Sequence, residues 1–209
     1  MTATPTTAPE LVKKLVTSVA NKVIASADEL TSLDQAIGDG DHGLNMQRGF
    51  EAVLAQLNEL VGMTLPEATT AIGFTLVMSV GGASGPLFGT LFRVMGKALP
   101  AQPTTADVAR ALNEGIDAVK RLGRSDVGQK TMLDVLIPVQ EEIATRGSQV
   151  LSRVRSRSRK AAAATIPMQA IKGRASFLGE RSIGHMDPGA RSCEIIIEVV
   201  CDVLEEEHV

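Results

Sequence analysis

Three aspartates stand close together in Leu33-Asp34-Gln35-Ala36-Ile37-Gly38-Asp39-Gly40-Asp41-His42-Gly43-Leu44-Asn45. Glycines flank Asp39 on both sides and mark a loop, while Asp34 falls in the last turn of the preceding helical run. Carboxylates brought within about 4 Å repel by about 4 kcal/mol per pair at an effective dielectric of about 20. A fold keeps such a cluster only if cations neutralise it. All-oxygen ligands select hard Mg²⁺ or Ca²⁺ over zinc, and Mg²⁺ held by a few carboxylates completes its shell with phosphate oxygens. The competing reading is a solvated Asp/Gly turn with ordinary capping duties. A calcium loop fits less well, because the EF-hand pattern with its final Glu is absent.

Other glycine-rich segments bear on the same chemistry. Gly81-Gly82-Ala83-Ser84-Gly85 opens a helix and can turn backbone N–H groups toward an anion, although such a turn is also an ordinary helix stop and start. It is not a nucleophile elbow, since the Gly-x-Ser-x-Gly spacing fails and no strand precedes Ser84. Gly123 to Thr131 invites a P-loop reading, but Gln129 separates Gly128 from Lys130 and the flanks are helical. The Lys172–Gly189 stretch is long for a structureless connection and so is a candidate functional loop. Within it Arg174 could stabilise charge on a transferring phosphoryl group, and Glu180 with Arg181 reads as a structural ion pair. The basic run Arg153, Arg155, Arg157, Arg159, Lys160 lacks interleaved aromatics and reads as a solvated helix face, with docking to an acidic partner as the alternative.

Helices must position these loops. Apolar residues recur at helical spacing from Leu11 to Leu30, Met46 to Val61, Pro66 to Leu76, Ser84 to Lys97 and Ala109 to Val119. Further helices are predicted from Thr131 to Arg146 with a kink at Pro138, from Ser148 to Ile171 across Pro167, and from Pro188 onward behind an Asp187 cap. The apolar run 194–200 fits a strand as well as a buried helix face. Residues 1–8 read as a disordered lead-in and 9–209 as a single domain. The expected fold is all-α: about eight antiparallel helices in an up-and-down bundle or barrel. Alternate junctions of such a bundle share one end, so the glycine loops can converge there.

Composition agrees. With five Phe and neither Trp nor Tyr, the core must be aliphatic. A net charge of −3 argues against nucleic acid as an obligatory partner. No apolar run reaches the roughly 18 residues that span a bilayer, and Met1–Glu10 lacks the pattern of a signal peptide, so the expected location is cytoplasmic. Cys193 and Cys201 on one helix are about 12 Å apart, too far for a disulfide.

Taken together the segments resemble the DhaL family, the nucleotide-binding subunits of bacterial dihydroxyacetone kinase. The likeness rests on Asp34-x4-Gly-Asp-Gly-Asp-His-Gly-x-Asn45, Ser79 to Gly89, Lys130-Thr-Met132, and Lys172-Gly-Arg-Ala-Ser with His185-Met-Asp-Pro-Gly-Ala190. It implies an eight-helix barrel with ADP or ATP and two Mg²⁺ at one end. The family's metal ligands fall on Asp34, Asp39 and Asp41. Its nucleotide contacts fall on His42, Gly43, Leu44, Asn45, Ala83, Ser84, Gly123, Met132, Arg174, Asp187, Pro188 and Gly189. Adenine would lie between aliphatic side chains, with Leu44 and Met132 as candidates. The resemblance also implies partners: a DhaK subunit holding dihydroxyacetone, and a DhaM subunit of the phosphotransferase system that rephosphorylates bound ADP. The alternatives are exchangeable ATP, a four-carbon ketose such as erythrulose, or a regulatory role beside a transcription factor. A two-metal hydrolase would need a base, for which only His42 is at hand.

Overall fold

The structure is a computed structural model, and it describes residues 7–145 and 148–207. Its α-helices are α1 (Ala8–Ala25), α2 (Ala27–Ile37), α3 (His42–Ala55), α4 (Leu57–Val61), α5 (Leu65–Ser79), α6 (Ser84–Ala98), α7 (Thr105–Gly123), α8 (Leu133–Ala144), α9 (Val150–Ala164) and α10 (Pro188–Glu207). A 3₁₀ segment, Arg174–Ser182, lies between α9 and α10, and no strand occurs among the described residues. The 194–200 run is therefore helix, inside α10.

Local chemistry sets the helix starts. Thr7, Thr64 and Thr104 each cap a helix and exchange hydrogen bonds with Glu10, Glu67 and Asp107 three residues on. Each such box satisfies N–H groups that the helix itself leaves unpaired. The first predicted helix is broken: the chain turns at Ser26, whose N–H and hydroxyl both bond to the Lys22 carbonyl. Asp34 thus sits in the last turn of α2, not α1. The seventh helix stops at Ala164, short of the predicted Ile171. Pro167 explains the difference, since its ring cannot continue the helical hydrogen-bond ladder. Pro138 remains inside α8, and the expected end of that helix at Arg146 falls outside the described residues. Of the 1–8 lead-in, residues 1–6 are likewise outside; Thr7 and Ala8 form a cap and a first helical residue.

The eight helices α1, α3, α5, α6, α7, α8, α9 and α10 each pack against the next, and α10 returns to α1 to close the ring. Short α2 joins α3 and α10 at one end. Inside lies an aliphatic core, with Leu30, Met46, Phe50, Leu76, Phe88, Leu133 and Ile195 almost wholly buried. Cys193 and Cys201 are buried free thiols, and burial pushes the Cys201 thiol up to about 11. α5 and α6 approach closely through glycine: a Cβ on Gly73 would lie 2.5 Å from the Arg93 nitrogen and 2.7 Å from the Gly89 carbonyl oxygen. No helix is long and apolar enough to cross a membrane among the described residues.

Because the ring alternates in direction, the α2–α3, α5–α6, α7–α8 and α9–α10 junctions share one end. The first three carry the Asp/Gly turn, the 81–85 glycines and the Gly128–Thr131 loop. The last carries the long 165–187 connection.

Candidate functional site

An open cleft occupies that end. It is lined by Asp34, Asp39, Asp41 and His42, by Gly82 to Ser84, by Lys130 to Met132, by Lys172 to Ala175, and by Asp187 to Gly189, over a floor of Ile37, Leu87 and Phe88. All four junctions contribute.

The three aspartates meet: one carboxylate oxygen from each lies within 4.8 Å of the others. Asp34 is buried, and its Oδ2 accepts the N–H groups of Asp41 (2.9 Å) and His42 (3.1 Å). It therefore caps α3 from the end of α2, as the capping reading expects, although it is buried where that reading had a solvated turn. Its other oxygen rests against Gly38, where any Cβ would strike it. Gly40 adopts φ +76°, a left-handed conformation natural to glycine, which folds Asp39 and Asp41 back toward Asp34. Asp41 stands at the N-cap of α3 but makes no side-chain capping bond. Asp39 is partnered by Arg174, Nη1 to Oδ2 at 3.0 Å, so the long connection reaches across the cleft to the carboxylates. An all-oxygen set with one ligand buried and two half-free fits a hard divalent cation, and arginine beside it fits a phosphate.

His42 is buried, and desolvation pushes its pKa below the ordinary value of 6.5 against the opposing pull of the nearby Asp34 and Asp41 carboxylates. Its Nδ1 lies 2.9 Å from Ser84 Oγ and its Nε2 2.8 Å from Ser192 Oγ. Ser192 donates its own hydrogen to the Pro188 carbonyl (3.0 Å), so it accepts from His42 Nε2–H. Nδ1 is then left to accept from Ser84. His42 thus ties α3 to α6 and α10, and with both nitrogens engaged it is no free base for a metal-bound water.

The α6 N-terminus faces the cleft with no side-chain cap, behind Gly82 at φ +63°. Its unpaired N–H groups suit an anion. At α10, Asp187 accepts the Ala190 N–H at 2.7 Å. Surrounding protein raises the Asp187 carboxyl to about 7, chiefly by desolvation.

Of the residues singled out by sequence, Asp34, Asp39, Asp41, His42, Ala83, Ser84, Met132, Arg174, Asp187, Pro188 and Gly189 line the cleft. Gly43, Leu44, Asn45 and Gly123 do not. Gly43 packs where α2 crosses α3, since a Cβ there would strike the Ala27 carbonyl. Asn45 is buried against Gly81, Leu44 is exposed outside the cleft, and Gly123 ends α7 beside Leu87. Met132 is buried at the wall of the cleft. Among the described residues no ion pair joins Glu180 to Arg181. The basic run on α9 is largely neutralised within the chain: Arg153 pairs with Glu142, Arg155 with Asp202 and Glu205, and Arg159 with Glu198. Sequence reasoning missed Ser192 and the part played by Lys130. Ser192 carries no motif, and Lys130 was visible as part of a failed P-loop and of the Lys130-Thr-Met132 motif, neither of which points to the carbonyls around it.

Comparison with known proteins places this geometry. The DAK2 domain matches residues 36–202. The chain is 43% identical over 188 residues to the ADP-binding subunit DhaL of the PEP-dependent dihydroxyacetone kinase of Escherichia coli, covering 86% of this chain and 90% of that one. It is 40% identical to the ADP-binding subunit DhaL of a PEP-dependent dihydroxyacetone kinase of Listeria innocua, covering 82% and 84% respectively. Among solved structures, the dihydroxyacetone kinase from C. freundii in complex with AMP-PNP and Mg²⁺ superposes with a TM-score of 0.75 at 25% identity, over 95% of this chain. This chain spans only 34% of that kinase.

Proposed function

This chain belongs to the DAK2-domain family, alongside its DhaL subunits, and on that premise we propose what it does. It is the nucleotide-binding, phosphoryl-transferring subunit of a dihydroxyacetone-type kinase. Asp34, Asp39 and Asp41 hold Mg²⁺, two ions in all, and through it the phosphates of ADP or ATP. The observation that carries this reading is the meeting of three carboxylates within 4.8 Å in the cleft that also receives Arg174 and the open end of α6.

When bound, Mg²⁺ supplies neutralisation of phosphate charge. The chain's own groups do the rest. Gly82, Ala83 and the first N–H groups of α6 accommodate phosphate oxygens, and Ser84 is oriented by His42. Arg174 brings a guanidinium to the carboxylates, where it can take up charge on the phosphoryl group in flight. Met132 and the neighbouring apolar wall receive the base. No side chain here is placed as a covalent nucleophile, which suits a reaction driven by positioning and electrostatics. The γ-phosphorus leaves the β–γ bridging oxygen and joins a hydroxyl oxygen of dihydroxyacetone held on a DhaK-type subunit, which also takes the hydroxyl proton. A DhaM-type subunit of the phosphotransferase system then restores ATP on this chain, in the cytoplasm.

Calorimetry with ADP and Mg²⁺ tests the site, and mixing with a DhaK-type subunit, ketose and phosphoryl donor tests the reaction. Binding only with Mg²⁺, followed by ketose phosphate in the mixture, is expected. No Mg²⁺-dependent binding would remove the proposal. Denaturing the purified chain separates the donors: released ADP indicates rephosphorylation in place, and an empty site indicates exchangeable ATP.

A further inference from the structure

The long connection over the cleft is held by a side chain that the proposed mechanism leaves unused. Lys130 is 1% exposed, and its Nζ lies 2.9 Å from the Thr165 carbonyl oxygen, 3.1 Å from that of Met168, 2.8 Å from Ser182 and 2.5 Å from His185. These four acceptors come from the two ends of one excursion of the chain. Thr165 and Met168 follow α9, Ser182 closes the 3₁₀ segment, and His185 leads into α10. The two ends also touch directly: Gly184 N–H bonds to the Ile166 carbonyl at 2.8 Å, Ala170 N–H to Ser182 Oγ at 2.9 Å, and Asp187 N–H to Thr165 Oγ1 at 3.1 Å. Lys130 therefore sits in the neck of a closed loop. Beyond the neck the loop carries Lys172 and Arg174 to the cleft, and immediately after it come Asp187 and Gly189.

We propose that Lys130 is the positioning residue of the nucleotide site: its ammonium ties the neck of the 165–187 loop and so fixes Arg174 and the Asp187–Gly189 turn against the carboxylate cluster. The inference rests on the function proposed above.

Two observations favour positioning over simple filling of the core. An ammonium has only three hydrogens and no acceptor, so four carbonyl oxygens at these distances saturate it fully. An apolar side chain would leave those oxygens without that donor, and at the buried Thr165 and Ser182 the loss of a polar partner is costly. Secondly, Lys130 has φ +61°, an uncommon conformation for a residue with a side chain. It is imposed by Asp134, whose carboxylate accepts the N–H groups of Gly128 (2.5 Å) and Thr131 (2.7 Å) on either side. From that backbone turn the lysine's ammonium reaches the neck, while Lys130, Thr131 and Met132 together line the cleft. One short segment thereby forms a wall of the site and anchors the loop opposite.

The test uses the whole chain as Lys130→Met, an unbranched side chain one atom shorter that removes every donor, and Lys130→Gln, which keeps two. Three measurements are compared with the unaltered protein: helical signal on heating, amide hydrogen exchange by segment, and calorimetric Kd for ADP with Mg²⁺. The expected result is a folded protein in both variants, with faster exchange confined to residues 165–187 and unchanged exchange in α5 to α7. If the neck is closed only a tenth of the time, Kd rises about tenfold. Lys130→Gln should fall between the two proteins in both readouts. Equal Kd in the unaltered and Lys130→Met proteins overturns this inference alone. So does loss of protection across the whole chain in both variants, which would make Lys130 a folding residue only. Failure of the unaltered chain to bind ADP and Mg²⁺ would instead remove the function on which the inference stands.

Discussion

Asp34 and Asp39 share a site but not a workload. Asp34 Oδ2 holds the N–H groups of Asp41 and His42, so removing its carboxylate strips the cap from α3 as well as the cation ligand that the proposed function assigns to it. Among the described residues Asp39 pairs with Arg174 alone, in a contact exposed enough to be worth less than about 1 kcal/mol. Asp39→Asn should therefore weaken binding of ADP with Mg²⁺ by about tenfold or more while leaving the melting temperature in place. Asp34→Ala should do both, losing about 1–2 kcal/mol of stability in urea titration beside the affinity. Equal stability loss in the two variants would show that the carboxylates do not divide the work this way. Asp187 offers a separate check through pH. Its carboxyl is raised from the usual 3.8 to about 7 in the folded chain, chiefly by desolvation, so the folded state holds a proton that the unfolded state has already released. That contribution to stability is complete below pH about 4 and is lost as the pH climbs to about 7. Urea midpoints measured between pH 5 and 7.5 without ligand should fall more steeply in the unaltered protein than in Asp187→Asn. Parallel profiles would place the titration elsewhere.

At the scale of elements, the helices were legible because their apolar spacing and their Thr/Pro starts are local signals, and the ring needed only short connections to follow. What stayed hidden depends on partners far away in sequence. The Ser26 turn breaks one apolar run without a glycine or proline to announce it. Lys130 has no role that its neighbours in sequence announce until the four carbonyls some 35 to 55 residues on are in place around it. Ser192 acquires meaning only when α10 brings it to His42. The glycines of α5 and α6 read as weak helix formers, yet they let these two helices approach closely. Gly73→Ala puts the gain in helix propensity, about 1 kcal/mol, against a Cβ placed 2.5 Å from the Arg93 nitrogen. Backbone cannot swing aside as a side chain can, so the clash dominates. A net loss of about 1–3 kcal/mol is expected from urea unfolding, and a more stable variant would mean that α5 and α6 separate without cost.

For the molecule as a whole, the direction of each helix decides what the site can contain. Junctions at one end bring together carboxylates from α2–α3, open N–H groups from α5–α6, Met132 from α7–α8 and Arg174 from α9–α10. The parity of helices was readable from sequence, and so were the convergence of its glycine loops and many of the residues that line the cleft; the contacts that hold them, such as His42 between Ser84 and Ser192, were not. Such a site is complete only in the folded ring, so ligand binding must stabilise the ring. At a ligand concentration about a hundred times Kd the gain is about 2.7 kcal/mol. For a chain of this size that corresponds to roughly 5–10 °C in melting temperature. The shift should require ADP and Mg²⁺ together. ADP with a chelator leaves the carboxylates to repel the phosphates, and Mg²⁺ alone lacks the diphosphate that links α2–α3 to α6. Asp39→Asn should lose most of the shift even with both present. An equal rise with ADP in the chelator would show that the phosphates are held by N–H groups and arginine without a cation, and the three aspartates would then be left with capping and loop order as their whole role.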